Sequence, residues 1–246
     1  MHKKEVAVVT GASGLIGKSI AWELGNQGYT VVLQYNENLS GVQDLYDTMI
    51  KNNMSALLVQ ADISNYDSVC KLFENIVREY NRLDLLVNNA GISEKGLFLM
   101  TSEEEINRVV DINLKGTLFC CKQAAMIMIG NKGGRIINIS SVAALRGIEG
   151  QCIYASTKGA IVSMTRTMAK EFSRYNINVN SILPGFVESD MLKHIKPEKK
   201  EEFLQMIPKK RFGRGDEIAH LVNYLASDLS DYITGQCICI DGGLSI

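Results

Sequence analysis

"VAVVTGASGLIGKSIAWEL", Val6 to Leu24, sets glycines at 11, 14 and 17 between a short apolar run and a segment of helical period. A strand feeding a glycine-rich turn and then a helix is the arrangement that receives a dinucleotide. The glycines let the backbone turn tightly and approach a pyrophosphate, whose charge the helix N-terminus favours. Glycines also close ordinary strand-to-helix turns, so the loop alone does not decide the fold. Leu15 adds a question, because it sets a bulky side chain at the centre of a loop otherwise suited to phosphate.

Outward from this stretch the same rhythm continues. β-Branched runs ("TVVLQY", "ALLVQA", "LDLLVNN", "GRIINIS", "INVNSIL", "QCICID") alternate with longer segments of helical period. Such alternation predicts a Rossmann-type, doubly wound parallel sheet of about seven strands with helices on both faces. The strands are apolar almost throughout, as strands covered on both faces are. Three prolines and no Gly/Ser-rich tract leave no linker, so residues 1–246 read as one α/β domain. The rhythm breaks in "KHIKPEKKEEFLQMIPKKRFGR", Lys193 to Arg214, where eight basic residues stand against three acidic ones. It reads as an amphipathic insertion, a substrate lid at about 186–212, with Ile195, Phe203, Leu204, Met206 and Ile207 as apolar contacts.

Composition excludes several function classes. With 46% hydrophobic and 22% charged residues and a net charge of -1, nothing favours nucleic acid as a partner. No apolar run approaches a membrane span, and Val6 to Val9 is too short for a signal-peptide core, so a cytoplasmic protein is expected. The six cysteines contain no C-x-x-C pair and the three histidines are scattered, so no metal site is expected. The thiols are expected to be reduced and mostly buried, and Cys152 is not expected to act as a nucleophile, since no base is placed beside it.

"SSVAALRGIEGQCIYASTKGA" carries Tyr154 and, four residues on, Lys158, a spacing that places both side chains on one face of a helix. A phenol with a pKa near 10 is a poor acid at neutral pH, and a neighbouring ammonium is expected to lower it. Alone the pair is what chance supplies. Its company is more telling: Ser141 stands 13 residues earlier at the end of "GRIINIS", "NNAG" (88–91) ends the fourth strand candidate, "DIN" (111–113) lies within a helix, and "PG" (184–185) follows the sixth strand.

With "TGASGLIG" at the front and "YITGQCICIDGG" at the end, this ordered set resembles the short-chain dehydrogenase/reductase family over residues 4 to 244. "PGFVESDM" and "RFGRGDEIAHLVNYLASDLSDYITGQ" are most similar to its 3-oxoacyl-[acyl-carrier-protein] reductases. Compact members usually show T-G-x-x-x-G-x-G, whereas this chain has T-G-x-x-G-x-x-G, a spacing more typical of extended members such as sugar-nucleotide epimerases. Those need about a hundred further residues, and here only 241–246 follow the last strand.

The resemblance implies hydride transfer between a nicotinamide cofactor and a ketone carbon. Tyr154 would be the proton donor, Ser141 a second hydrogen bond to the substrate oxygen, Lys158 the residue that tunes Tyr154 and holds the nicotinamide ribose, and Asn113 the end of a proton path. Gly11, Ser13, Gly14, Leu15, Ile16 and Gly17 would hold the pyrophosphate; Tyr35 and Asn36, the adenosine ribose; Asp62 and Ile63, the adenine. Asn89, Ala90, Gly91, Pro184, Gly185, Val187 and Ser189 would line the remaining cofactor path, and Gln151 the substrate pocket.

NADP(H) is favoured over NAD(H), because no acid stands at the end of the second strand. Acyl carrier protein is a candidate partner through the basic insertion and Arg174, and a homotetramer through "GTLFCCKQAAMIMIG", "AIVSMTRTMAKEF" and the last strand. The expected reaction is NADPH-dependent reduction of a 3-oxoacyl thioester. A reductase of a free ketone, sugar, steroid or polyketide is the alternative, and a non-catalytic nicotinamide-binding regulator the more distant one.

Overall fold

A computed structural model of the chain describes residues 4–188 and 197–246. Strands β1 (Val6–Val9), β2 (Thr30–Tyr35), β3 (Ser55–Gln60), β4 (Leu85–Asn88), β5 (Gly134–Ile139), β6 (Ile177–Pro184) and β7 (Cys237–Ile240) form one sheet. All pairings are parallel, in the order β3-β2-β1-β4-β5-β6-β7. The helices between them are α1 (Leu15–Asn26), α2 (Leu39–Lys51), α3 (Tyr66–Tyr80), α4 (Glu103–Val110), α5 (Gly116–Gly130), α6 (Cys152–Phe172), α7 (Pro197–Met206) and α8 (Gly215–Ala226). The doubly wound sheet expected from the alternating pattern is the fold.

Each strand feeds both cores because successive side chains point to opposite faces. Val6 and Val8 pack with Leu72 and Phe73 of α3 and with Cys120, Ala124 and Met128 of α5. Ala7 and Val9 pack with Ile20 and Leu24 of α1, Val42 of α2 and Val222 of α8. A third cluster lies beneath the basic insertion, where Ile207 and Phe212 are buried with Leu183 and Leu244, and Phe203 and Leu204 lean on them. The Phe203 ring stands 4.9 Å from that of Phe186. Met206 does not join this cluster and is 39% exposed, and Ile195 lies outside the described residues. No helix among the described residues is long and apolar enough to cross a membrane.

The thiols depart from expectation. Cys120 and Cys121 are buried in α5, but Cys152 and Cys239 are exposed, and Cys70 and Cys237 are half-buried. Only α5 lies apolar-side-in against the sheet at its cysteines, whereas Cys152 starts a helix and Cys239 sits on the terminal strand.

A polar network crosses the centre of the sheet. Asn88 Nδ2 donates to Asn138 Oδ1 at 2.9 Å, and Asn138 Nδ2 donates to Thr165 Oγ1 at 2.9 Å, tying β4 to β5 and β5 to α6. Polar groups so deeply buried must be paired. Asn138→Ala strips partners from two such groups and opens a cavity. It is expected to cost about 3 kcal/mol and to lower Tm by roughly 5–10 °C. Thermal unfolding of the variant checks this, and an unchanged Tm would show the network to be idle.

Candidate active site

β1 and β4 are neighbours in the sheet although β2 and β3 separate them in the chain. The connections therefore leave them in opposite directions, and a crevice opens beyond their carboxyl ends, where such folds take ligands. Here it is a cleft of about 790 Å³.

The glycine turn forms one wall. Gly11 has φ +64°, and a Cβ there would lie 2.8 Å from Ala90 Cα, so only glycine fits. At Gly17 a Cβ would meet the Gly11 carbonyl oxygen at 2.3 Å. Helix α1 begins at Leu15, with no side-chain cap and no acid in its first turn. Its leading N–H groups and positive dipole end are thus left for an anion. Leu15 answers the question it raised: as the first residue of α1, 42% exposed, it lines the cleft without filling the turn. A dinucleotide fits this cradle, which pairs a glycine-only turn with an uncapped helix start.

The adenosine end differs from expectation in one residue. Gln34, Asn36, Glu37 and Asn38 line the cleft, whereas Tyr35 does not; it packs into the core shared by α1 and α2. The alternation along β2 explains this, since Gln34 and Tyr35 must face opposite sides. Asp62, Ile63 and Ser64 line the next section, with Asp62 Oδ1 accepting from the Ser64 N–H and hydroxyl at 2.9 and 2.7 Å. Ser13, Gly14, Ile16, Asn89, Ala90 and Gly91 are also in the walls. Pro184, Gly185 and Val187 close the far end, and Ser189 lies outside the described residues.

Opposite the glycine turn stand Ser141, just past β5, and Tyr154 and Lys158 of α6. Tyr154 and Ser141 line the same wall of the cleft, and Ser141 Oγ accepts the Ala143 N–H at 3.1 Å. Lys158 is 4% exposed, and its Nζ donates to the Ile139 carbonyl at 2.9 Å while lying 5.6 Å from the Tyr154 ring centroid. Burial pulls the Lys158 ammonium down to about 8. Burial likewise raises the Tyr154 phenol, with the nearby Ser141 hydroxyl pulling the other way. The expected lowering of Tyr154 by Lys158 is therefore corrected for this arrangement: the ammonium is engaged by a backbone carbonyl, and desolvation dominates both groups.

Asn113 does not touch the cleft but stands behind it, fully buried in a π-turn, Asp111–Lys115, between α4 and α5. Its Oδ1 accepts from Ile92 N–H at 2.8 Å, and its Nδ2 donates to Ile92 C=O at 2.9 Å and to Thr157 Oγ1 at 3.2 Å. Thr157 passes the tie to the Tyr154 carbonyl at 2.8 Å. A Cβ on Gly91 would sit 3.2 Å from Asn113 Oδ1 and 3.4 Å from Lys158 Nζ, so amide and ammonium converge on one point. Gln151 is the residue before α6 and lies outside the cleft lining. Cys152 faces a separate pocket of about 190 Å³.

Sequence reasoning missed Gln34, Ser64, Ser93, Arg108 and Ile112 as cleft residues. Gln34 carried a signal, being the one polar residue inside an apolar strand. Arg108, on α4, pairs with Glu94 at 3.3 Å on the rim, and nothing in its local sequence marks it.

A family model described as enoyl-(acyl carrier protein) reductase matches residues 11–245. The chain belongs to the short-chain dehydrogenase/reductase family. Among its relatives in that family, the 3-oxoacyl-[acyl-carrier-protein] reductase FabG of Staphylococcus aureus (strain Mu50) is 38% identical over 244 residues, covering 99% of each chain. A 3-oxoacyl-[acyl-carrier-protein] reductase of Synechocystis sp. is 39% identical, covering 98% of this chain and 96% of the relative. A short-chain dehydrogenase/reductase variant from Serratia marcescens superposes with a TM-score of 0.94 at 30% identity over the whole of both chains. As a member of the short-chain dehydrogenase/reductase family, this chain is a nicotinamide-dependent oxidoreductase, similar to 3-oxoacyl-[acyl-carrier-protein] reductases.

The buried Lys158 gives a pH signature. Its folded pKa of about 8 lies below the ordinary 10.5, so between these values the unfolded chain binds more protons. Stability contributed by this group therefore rises with pH across that window and is flat below it. Denaturant titrations at several pH values should show this slope in the cofactor-free protein and lose it in Lys158→Met; identical slopes in both would contradict the burial.

Proposed function

We propose that the protein reduces a 3-oxoacyl thioester, carried on acyl carrier protein, to the 3-hydroxyacyl form with NADPH. The observation that carries this reading is the placement of Tyr154 and Ser141, two hydroxyl side chains on one wall of a cleft that otherwise suits a dinucleotide. The bound cofactor supplies the hydride. Tyr154 carries its proton at neutral pH, as an ordinary phenol does, and gives it to the more basic alkoxide forming on the ketone oxygen. Ser141 donates a second hydrogen bond to the same oxygen; such donors are worth about 3 kcal/mol each in a dry site. Lys158, charged below its pKa of about 8, stands where a ribose hydroxyl and the developing phenolate both gain from it. Asn113, clamped to Ile92 and Thr157, holds the inner end of the proton path.

The family model's printed description concerns an enoyl group, but two hydroxyls aimed at one oxygen favour a ketone. Reduction of a free ketone, sugar, steroid or polyketide uses the same pair and is the second reading. Phe186, Phe203 and Phe212 around the insertion support a lid of about 186–212 that covers an acyl substrate.

For the cofactor, Asn36 and Asn38 offer amide donors to a ribose phosphate, while Glu37 beside them opposes it. Exposed Arg174 and the exposed Lys209 and Lys210 of the basic insertion suit an acidic carrier. Exposed Leu118, Met126 and Ile129 on α5 support burial of that helix in a homotetramer. A cytoplasmic location accords with the absence of a spanning helix among the described residues.

Tyr154→Phe is expected to lower kcat/KM for acetoacetyl thioesters at least roughly 100-fold, with the Kd for NADPH unchanged; near-normal turnover would refute the role. Glu37→Gln is expected to raise the ratio of kcat/KM with NADPH to that with NADH. A wild-type preference for NADH would overturn the cofactor choice.

A further inference from the structure

Gln34 is a polar side chain at 2% exposure in a strand buried on both faces, an arrangement that persists only where its amide is fully engaged. Its partners are two backbone groups left over where the neighbouring strands end. Its Oε1 accepts the Gly11 N–H at 2.9 Å, beyond the end of β1. Its Nε2 donates to the Ala61 carbonyl at 2.6 Å, beyond the end of β3. Its own carbonyl accepts the next loop N–H, that of Ala12, at 2.9 Å. Two successive donors of the glycine turn are thus held by one residue of β2.

The opposite side of the turn is held by a second amide. Asn89 Nδ2 donates to the Thr10 and Gly11 carbonyls at 2.9 and 3.1 Å. Gly11 is therefore fixed at both its N–H and its C=O, by side chains from strands on either side of β1, in a left-handed conformation that it would leave readily if free. The Gly11 and Ala12 N–H groups and the Thr10 and Gly11 carbonyls are thus taken up by the protein itself, and the uncapped start of α1 remains as the donor end.

We propose that Gln34 is the positioning residue of the phosphate-binding turn, holding Gly11 in its bound conformation before the dinucleotide arrives. Its amide oxygen is taken by the Gly11 N–H and its amide nitrogen donates to the Ala61 carbonyl, so the side chain acts on the turn rather than on a cofactor phosphate. It acts by removing the ordering that cofactor binding would otherwise have to impose. Because it works on the pyrophosphate-binding turn shared by both nicotinamide dinucleotides, it raises affinity for each by the same factor. The inference rests on the nicotinamide cofactor and is independent of which substrate is reduced.

The test uses the full-length protein and Gln34→Met, which keeps the length and loses both hydrogen bonds. Fluorescence titration should show Kd for NADPH and for NADH raised together, about tenfold, with kcat at saturating cofactor unchanged. Hydrogen exchange in the cofactor-free protein should show the Gly11 amide protected in the wild type and released in the variant. Gln34→Thr, a strand-forming residue too short to reach Gly11, serves as the second variant if Gln34→Met fails to fold, with thermal unfolding measured on each. Unchanged Kd values with a released Gly11 amide would overturn the proposal. A loss confined to kcat, or to one of the two cofactors, would overturn it as well.

Discussion

The site is organised around an amine placed where charge is costly. Lys158 is almost wholly enclosed, and its ammonium has the Ile139 carbonyl as its hydrogen-bond acceptor. An ion in such surroundings gives up its charge unless something returns what water supplied. The β5 carbonyl at the strand's end does part of this, and the pKa settles near 8, within reach of physiological pH. The Ser140 hydroxyl, donating to the Lys158 carbonyl at 2.8 Å, fixes the helix that carries the amine to the strand that receives it. The position of Tyr154, one helical turn away, follows from the same anchoring.

A second constraint comes from behind the cleft wall. The π-turn at Asp111–Lys115 interrupts the α4–α5 helix where Asn113 turns inward. Such bulges are rare and cluster at functional positions. The Asn113 amide clamps both polar groups of Ile92, so the segment after β4 is held against the site, and Thr157 connects that clamp to α6. The cofactor-facing wall and the helix bearing Tyr154 and Lys158 are thereby joined through one side chain.

Much of this was legible in the residues. The glycine turn, the strand-ending "NNAG" and the Ser141, Tyr154, Lys158 set are local signals, and the alternation of apolar strands with helical segments suffices for a parallel sheet, though not for its strand order. What was not legible depends on direction and depth. Tyr35 was assigned to the cofactor by its place at the end of β2, but the pleat turns it into the core and gives the cleft to Gln34 and Asn36. The effect of Lys158 on Tyr154 was inferred from sequence proximity, whereas its sign depends on burial, which spacing does not carry. The exposure of Cys152 and Cys239 escaped for the same reason, since a cysteine's composition-based preference says nothing about a helix start or a terminal strand. Arg108 reaches the cleft only because α4 crosses above it.

The central claim is that the Tyr154 side of this cleft delivers a proton to a ketone oxygen while hydride reaches the adjoining carbon. The most direct measurement mixes the wild-type protein with NADPH carrying deuterium in both C4 positions and a 3-oxoacyl carrier thioester, and then analyses the product. The account predicts a 3-hydroxyacyl thioester carrying deuterium at C3, formed with matching loss of NADPH. Unlabelled product, or no NADPH consumption with this thioester while simple ketones are reduced, would contradict it.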